Sequence, residues 1–183
     1  MKINLYPVFA LLLLSTLMIS CVSDQESAQV IYDRDIAAIN DYIEANNLTN
    51  VKEYNDPTYG IRIIWQEVSD SGVEIELGDT LVVDYTGKLL SDRVFDSSIE
   101  TVARDNNIYT SSREYIPLKF RLGLGSLIFG FEYGIAQMEE GDKATVFIPS
   151  DSGYGRNSNG DIPANSPLIF EMDLKEVIPG PTE

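Results

Sequence analysis

The sequence predicts an α+β domain in which an antiparallel β-sheet wraps on one short α-helix, with a second helix ahead of the sheet. Three observations predict it. Apolar residues recur at three- and four-residue steps between residues 30 and 48, and a short helix fits from Phe129 to Met138. After residue 58 the dominant period is two: Leu168, Phe170, Met172 and Leu174 alternate with Ile169, Glu171, Asp173 and Lys175. The change of period falls at Asn55-Asp56-Pro57, a turn signal.

Residues 1–20 form no part of that fold. Lys2 supplies a small positive head, Leu5 to Ile19 is an almost unbroken apolar run, and small Ser20 precedes Cys21. This is the layout of a secretory signal, and the run is short for a membrane-spanning helix. Met18-Ile19-Ser20-Cys21 resembles a bacterial lipobox, with Met18 where leucine is usual. Cys21 is therefore the expected lipid attachment site, and residues 21–29 read as a polar, acidic tether from a membrane face. Ser23 resembles the pattern that sends lipoproteins to an outer membrane, so a lipid-anchored position in the cell envelope, facing the periplasm, is expected.

Residues 30–57 read as a helical extension and linker. Ile31 or Tyr32, with Ile36, Ile39, Tyr42 and Ile43, form the apolar stripe. Asp33 and Asp35 sit near its expected start, where carboxylates suit the helix dipole, and Asn46-Asn47 mark its end. The stripe must be covered, and its own domain is the expected cover. Residues 50–59 read as a polar connection. Within 58–179, Ile61, Ile63 and Trp65 alternate with Arg62 and Gln66. Leu81, Val83 and Tyr85 alternate with Val82 and Asp84, and Leu118, Phe120 and Leu122 with Lys119 and Arg121. These are half-buried strands, one face to a core and one to water. The helix from Phe129 ends at Glu139-Glu140-Gly141-Asp142.

The chemistry is bounded by what is missing. Among 183 residues there is no histidine and a single cysteine, so no Ser-His-Asp or Cys-His arrangement, no His- or Cys-based zinc site and no intrachain disulfide can be built. The net charge of −16, from 29 acidic against 13 basic residues, repels phosphate backbones and excludes nucleic-acid binding by charge. Carboxylates, hydroxyls, amines, backbone groups and shape remain. LVVDYTGKLL at Leu81 to Leu90, RVFDSS at Arg93 to Ser98, and the stretch from Ser152 to Leu174 place Tyr85, Phe95, Asp96, Tyr154, Ile162 and Phe170 on strands and loops. That set suits a dry pocket gripping a flexible apolar ligand, and suits covalent chemistry poorly.

Five segments in order, DYTGKL, VFDSS, PLKFRLGLGSLIFGFEYGIAQM, GDKATVFIPSDSGYG and IPANSPLIFEMDL, are similar to those of the FKBP-type peptidyl-prolyl cis-trans isomerases, from about Tyr59 to Ile178. The layout of lipidated leader, helix and isomerase domain resembles that of gliding-motility-associated lipoproteins. The resemblance implies a curved antiparallel sheet around a short helix, with the site between them. It implies a catalytic set of Tyr85, Asp96, Tyr154 and Phe170, and substrate contacts from Phe95, Leu118, Leu127, Ile128, Phe131 and Ile162. It implies proline-containing polypeptide clients and macrolide ligands of this family, with no cofactor and no metal. Alternative roles are an envelope chaperone or an accessory lipoprotein of a surface or motility complex, each with a vestigial pocket.

This chain departs from the family pattern at several positions. Phe131 stands where tryptophan is frequent, Leu118 where an aromatic is frequent, Asp161 where an apolar residue is frequent, and Ser158 where some members have histidine. Residues 99–116 form an insertion, either a functional loop beside the pocket or a tolerated surface excursion. An arginine from this region often pairs with the site aspartate, and either Arg104 or Arg113 fits that place.

Overall fold

The structure is a computed structural model that describes residues 27–48 and 50–181; the segments expected to be a signal, a lipobox with Cys21 and most of a tether lie outside these residues. Seven strands form one antiparallel sheet: β1 (Lys52–Asn55), β2 (Arg62–Glu67), β3 (Thr80–Leu89), β4 (Val94–Ser97), β5 (Leu118–Arg121), β6 (Lys143–Ile148) and β7 (Leu168–Ile178). Their order is β1-β2-β6-β7-β3-β4, with β5 also on β3. Strand β3 is long enough to hold β5 along Thr80–Val83 and β4 along Thr86–Lys88 on the same edge. Helices are α1 (Ala28–Asn46), α2 (Glu100–Asp105) and α3 (Phe129–Ile135).

The main core fills the space between the sheet and α3. Ile61, Ile63, Leu81, Val83, Val146, Leu168 and Leu174 point into it with Ile135 and Met138 from the helix side. Two glycines let α3 lie close. A Cβ on Gly130 would fall 2.2 Å from the Ile148 side chain, and one on Gly134 would fall 2.6 Å from Val146. Any larger residue there forces helix and sheet apart. The helix ends three residues earlier than its pattern predicts. Gln137 and Met138 donate to Gly134 and Ile135, the tighter three-residue bonds that close a helix.

The opposite face of the sheet is not open to water. Helix α1 lies across it, and Ile39 packs with Ile64, Phe147 and Ile169, with Tyr42 and Ile43 alongside. The stripe is thus covered by its own domain. Ser27 caps the start, accepting from the Val30 N–H at 3.3 Å, and Asn47 ends the helix in the left-handed conformation. Because the helix starts at Ala28, no carboxylate lies in its first turn: Asp33 accepts from the Gln29 amide at 2.8 Å, and Asp35 is no partner for the dipole. It is buried instead, and one oxygen accepts from the Ser150 N–H at 2.9 Å. Gly60 is where the β1–β2 turn meets α1; a Cβ there would lie 2.3 Å from Ile36, and its φ is +66°.

Covering both faces explains the strands that periodicity did not bring out. In β6 every residue from Ala144 to Ile148 is buried, so the alternation disappears into an apolar run. Ile169 in β7, expected on a wet face, is buried under α1. Strand β1 lies in what reads as a polar connection. It is an edge strand whose side chains are exposed except for half-buried Tyr54, and it pairs with β2.

Candidate active site

A cavity of about 530 Å³ opens between β3, β4, β5, the start of α3 and the loop after β6. Tyr85, Phe95, Asp96, Leu118, Leu127, Ile128, Phe131, Tyr154, Ile162 and Phe170 all line it. The structure therefore brings together every residue expected there from the sequence. Ser126, Asn159, Gly160 and Asp161 complete the wall.

The floor is aromatic. Phe131 and Phe170 meet edge-to-face with centroids 5.0 Å apart, Phe95 meets Phe170 at 5.7 Å, and Tyr85 meets Phe131 at 5.8 Å. Edge-to-face contacts of this kind fix ring orientation and contribute beyond simple burial. The set is seated by Gly87 on β3. A Cβ there would come within 2.6 Å of the Phe95 ring and 2.9 Å of Phe170. A glycine inside an otherwise regular strand is the sequence signal for such a close approach.

The polar edge is built from β3, β4 and the insertion. The Tyr85 hydroxyl donates to Asp96 Oδ2 at 2.6 Å. Burial first, and then this contact, push the Tyr85 phenol up to about 12, with Arg113 partly offsetting them. Arg113 supplies the arginine: Nη1 donates to Asp96 Oδ1, and Nη2 donates to the Tyr85 oxygen at 3.2 Å. Partial burial opposes its charge, but the bonds to Asp96 and Tyr85 outweigh that and raise its proton affinity. Arg104 pairs with Glu100 instead.

Two loops complete the site. Glu132, in the first turn of α3, accepts from the N–H groups of Gly123 at 3.0 Å and Leu127 at 3.2 Å. That carboxylate shapes the loop leading to Ile128, which enters α3 in extended conformation. The second loop, after β6, carries Tyr154 and Ile162. Its tip closes by paired backbone bonds between Asn159 and Ile162, both 2.9 Å. Arg93 donates to the Asp161 carbonyl, and its other nitrogen lies 3.6 Å from the Asp161 carboxylate. Asp161 therefore serves as a latch for the loop. Among the described hydrogen bonds, none uses the Tyr154 hydroxyl or the Ile128 N–H.

Residues 72–175 match the family model of the FKBP-type peptidyl-prolyl cis-trans isomerases. The chain belongs to this family. A short-type peptidyl-prolyl cis-trans isomerase of Methanocaldococcus jannaschii is 47% identical over 81 residues, 44% of this chain and 51% of that protein. The chain thus spans about half the length of that relative. An FK506-binding protein of Neisseria meningitidis is 38% identical over 107 residues, 58% of this chain and 86% of its own. The crystal structure of a peptidyl-prolyl cis-trans isomerase from Pseudomonas syringae pv. tomato superposes with a TM-score of 0.60 at 22% identity, over 85% of this chain and 98% of that one. It shares the fold. In this FKBP-type domain β3 to β6, most of β7, α3 and the residues lining the aromatic cavity lie within the matched residues, while α1, β1 and β2 precede them.

Proposed function

We propose that this protein is a peptidyl-prolyl cis-trans isomerase that speeds X-Pro rotation in exported polypeptides. The single observation that carries this is the cavity itself: an open aromatic cup of Phe95, Phe131 and Phe170 with a Tyr85–Asp96 pair at its edge. X-Pro rotation has a barrier of about 18–20 kcal/mol because resonance makes the bond partly double. Uncatalysed exchange takes on the order of tens to hundreds of seconds, slow enough to limit folding. No nucleophile is needed. The enzyme must bind the twisted amide better than either planar form.

In this reading the cup takes the proline ring and removes water from it. Loss of resonance leaves the rotating carbonyl less polar, so a site that is poor in water destabilises the planar, polar forms relative to the twisted one. The Tyr154 hydroxyl and the Ile128 N–H hold carbonyls on either side of the proline. Asp96 and Tyr85 border the carbonyl that turns, and Arg113 keeps the carboxylate from presenting a bare charge. The same cup would receive the proline-mimicking part of a macrolide such as FK506. No cofactor or metal enters the mechanism.

The location follows from the leader. We place the enzyme on an envelope membrane through lipidated Cys21, on an outer membrane facing the periplasm, where newly exported chains fold. Assistance to a gliding-motility apparatus is the role that its layout resembles. The test is a prolyl-isomerisation assay on the soluble form from Ser23 onward, with aromatic or long aliphatic residues before proline as preferred substrates. A flat rate beside intact suppression of aggregation would replace this reading with that of a chaperone.

A further inference from the structure

The insertion between β4 and β5 contains a stack that ends on the site. Arg104, on α2, donates from Nε to Glu100 Oε1 at 2.8 Å, one helical turn back. Its guanidinium lies 3.5 Å from the centroid of the Tyr109 ring. Tyr109 stacks on Tyr115 with centroids 5.4 Å apart and planes 16° from parallel. The Arg113 guanidinium lies 5.3 Å from the Tyr115 centroid and continues to Asp96 and to the Tyr85 hydroxyl. Two contacts lock the turn: Thr110 N–H donates to the Tyr115 hydroxyl oxygen at 3.0 Å, and Arg113 N–H donates to the Thr110 carbonyl at 3.4 Å.

Apolar burial does not hold this segment. Ala103 is its one buried residue, and Tyr109 is 37% exposed. The alternating arginines and phenol rings are then the main internal contacts, and each arginine–ring contact is favourable because the π face attracts the cation. A stack that only stabilised a loop would have no reason to end on a carboxylate of the pocket. This one does. A free arginine would sample many rotamers, whereas one seated beside a ring and anchored at both ends is held ready.

We propose that Tyr109 and Tyr115 are positioning residues: the stack rooted in Glu100 and Arg104 holds Arg113 on Asp96 and so sets the polar edge of the prolyl pocket. The insertion is then part of the catalytic unit. This rests on the isomerase reading above for its functional consequence, but the positioning itself is measurable without activity.

The experiment combines isomerase kinetics on a short X-Pro peptide with the NMR side-chain Nε–H signal of Arg113. Tyr115→Leu and Tyr109→Leu keep apolar bulk and lose the π face, and each should lower kcat/KM by about three- to fivefold, the size of an exposed cation–π contact. Tyr115→Phe keeps the ring and loses only the hydroxyl that accepts from the exposed Thr110 N–H, so it should recover to within about twofold of wild type. In Tyr115→Leu the Arg113 signal should broaden or move to its free position, while in Tyr115→Phe it should stay put. If Tyr115 acts through Arg113, then Arg113→Met, which removes the cation, combined with Tyr115→Leu should be no worse than Arg113→Met alone. Leucine working as well as phenylalanine with the Arg113 signal unmoved would overturn the proposal, as would additive losses. An inactive wild type would sink the isomerase reading while the NMR comparison still decided this one.

Discussion

At the scale of single residues, the site separates groups that touch the ligand from groups that hold others in place. In the proposed mechanism Tyr154 belongs to the first kind: it lines the cavity, and its hydroxyl is outside the described hydrogen bonds of the fold. Tyr154→Phe should lower kcat/KM about five- to tenfold, one hydrogen bond's worth, with an unchanged melting temperature. Phe131 belongs to both kinds, being 3% exposed and in contact with Phe120, Phe170 and Tyr85. Phe131→Ala should abolish turnover and also cost about 3–5 kcal/mol in denaturant unfolding, so the melt must accompany the rate. Gly87 supports the floor without touching polar chemistry. Gly87→Ala drives a methyl into Phe95 and Phe170 and should cost about 1–3 kcal/mol while weakening macrolide binding, measured by calorimetry. The pH dependence has a definite sign. The fold favours the protonated Tyr85 phenol, so its contribution to stability is complete below the unfolded value near 10.0 and is lost as pH rises through about 12. Tyr85→Phe should remove that part of the alkaline loss of stability, read from unfolding midpoints at a series of pH values. The ten residues that the family resemblance names all line this one cavity, and five of them are aromatic rings carried by short motifs. Arg113 was not separable from Arg104, since the choice depends on how an insertion folds back and not on spacing.

At the scale of elements, α1 matters because it turns a half-exposed sheet into one covered on both faces. Its stripe residue Ile39 is 1% exposed against Ile64, Phe147 and Ile169. Ile39→Ala should lower the unfolding free energy by about 2–5 kcal/mol with little change in isomerase rate below the melting transition, because the cavity lies on the other face. A matching loss of rate would mean that the sheet transmits the defect. Ties from α1 to the loop after β6, through Asp35 to Ser150 and Arg34 to the Asn165 carbonyl at 3.3 Å, make that comparison informative. The periodicity argument failed where a strand lacked one wet and one dry face or was too short to alternate. It found β2, β3, β5 and β7 and did not resolve β6, whose two faces are dry, the short β4, or β1, of which only Tyr54 reaches the core. Helix α2 has only Ala103 buried and so leaves no stripe to read.

At the scale of the whole molecule, the proposed membrane tether rests on the lipobox-like Met18-Ile19-Ser20-Cys21 alone. Mass spectrometry of the mature N-terminus should find a diacylated or triacylated Cys21; an unmodified thiol or cleavage elsewhere would remove the membrane from the proposal. The sequence by itself determined the class of fold, the composition of the pocket and the kinds of chemistry excluded. These depend on local periodicity, on motif order and on which side chains exist at all. Only the tertiary structure decided which arginine meets Asp96, what covers the outer face of the sheet and how the rings are seated over Gly87. Each of those is a contact between residues far apart in the chain, set by how the elements pack, and no local pattern records a distance across a fold.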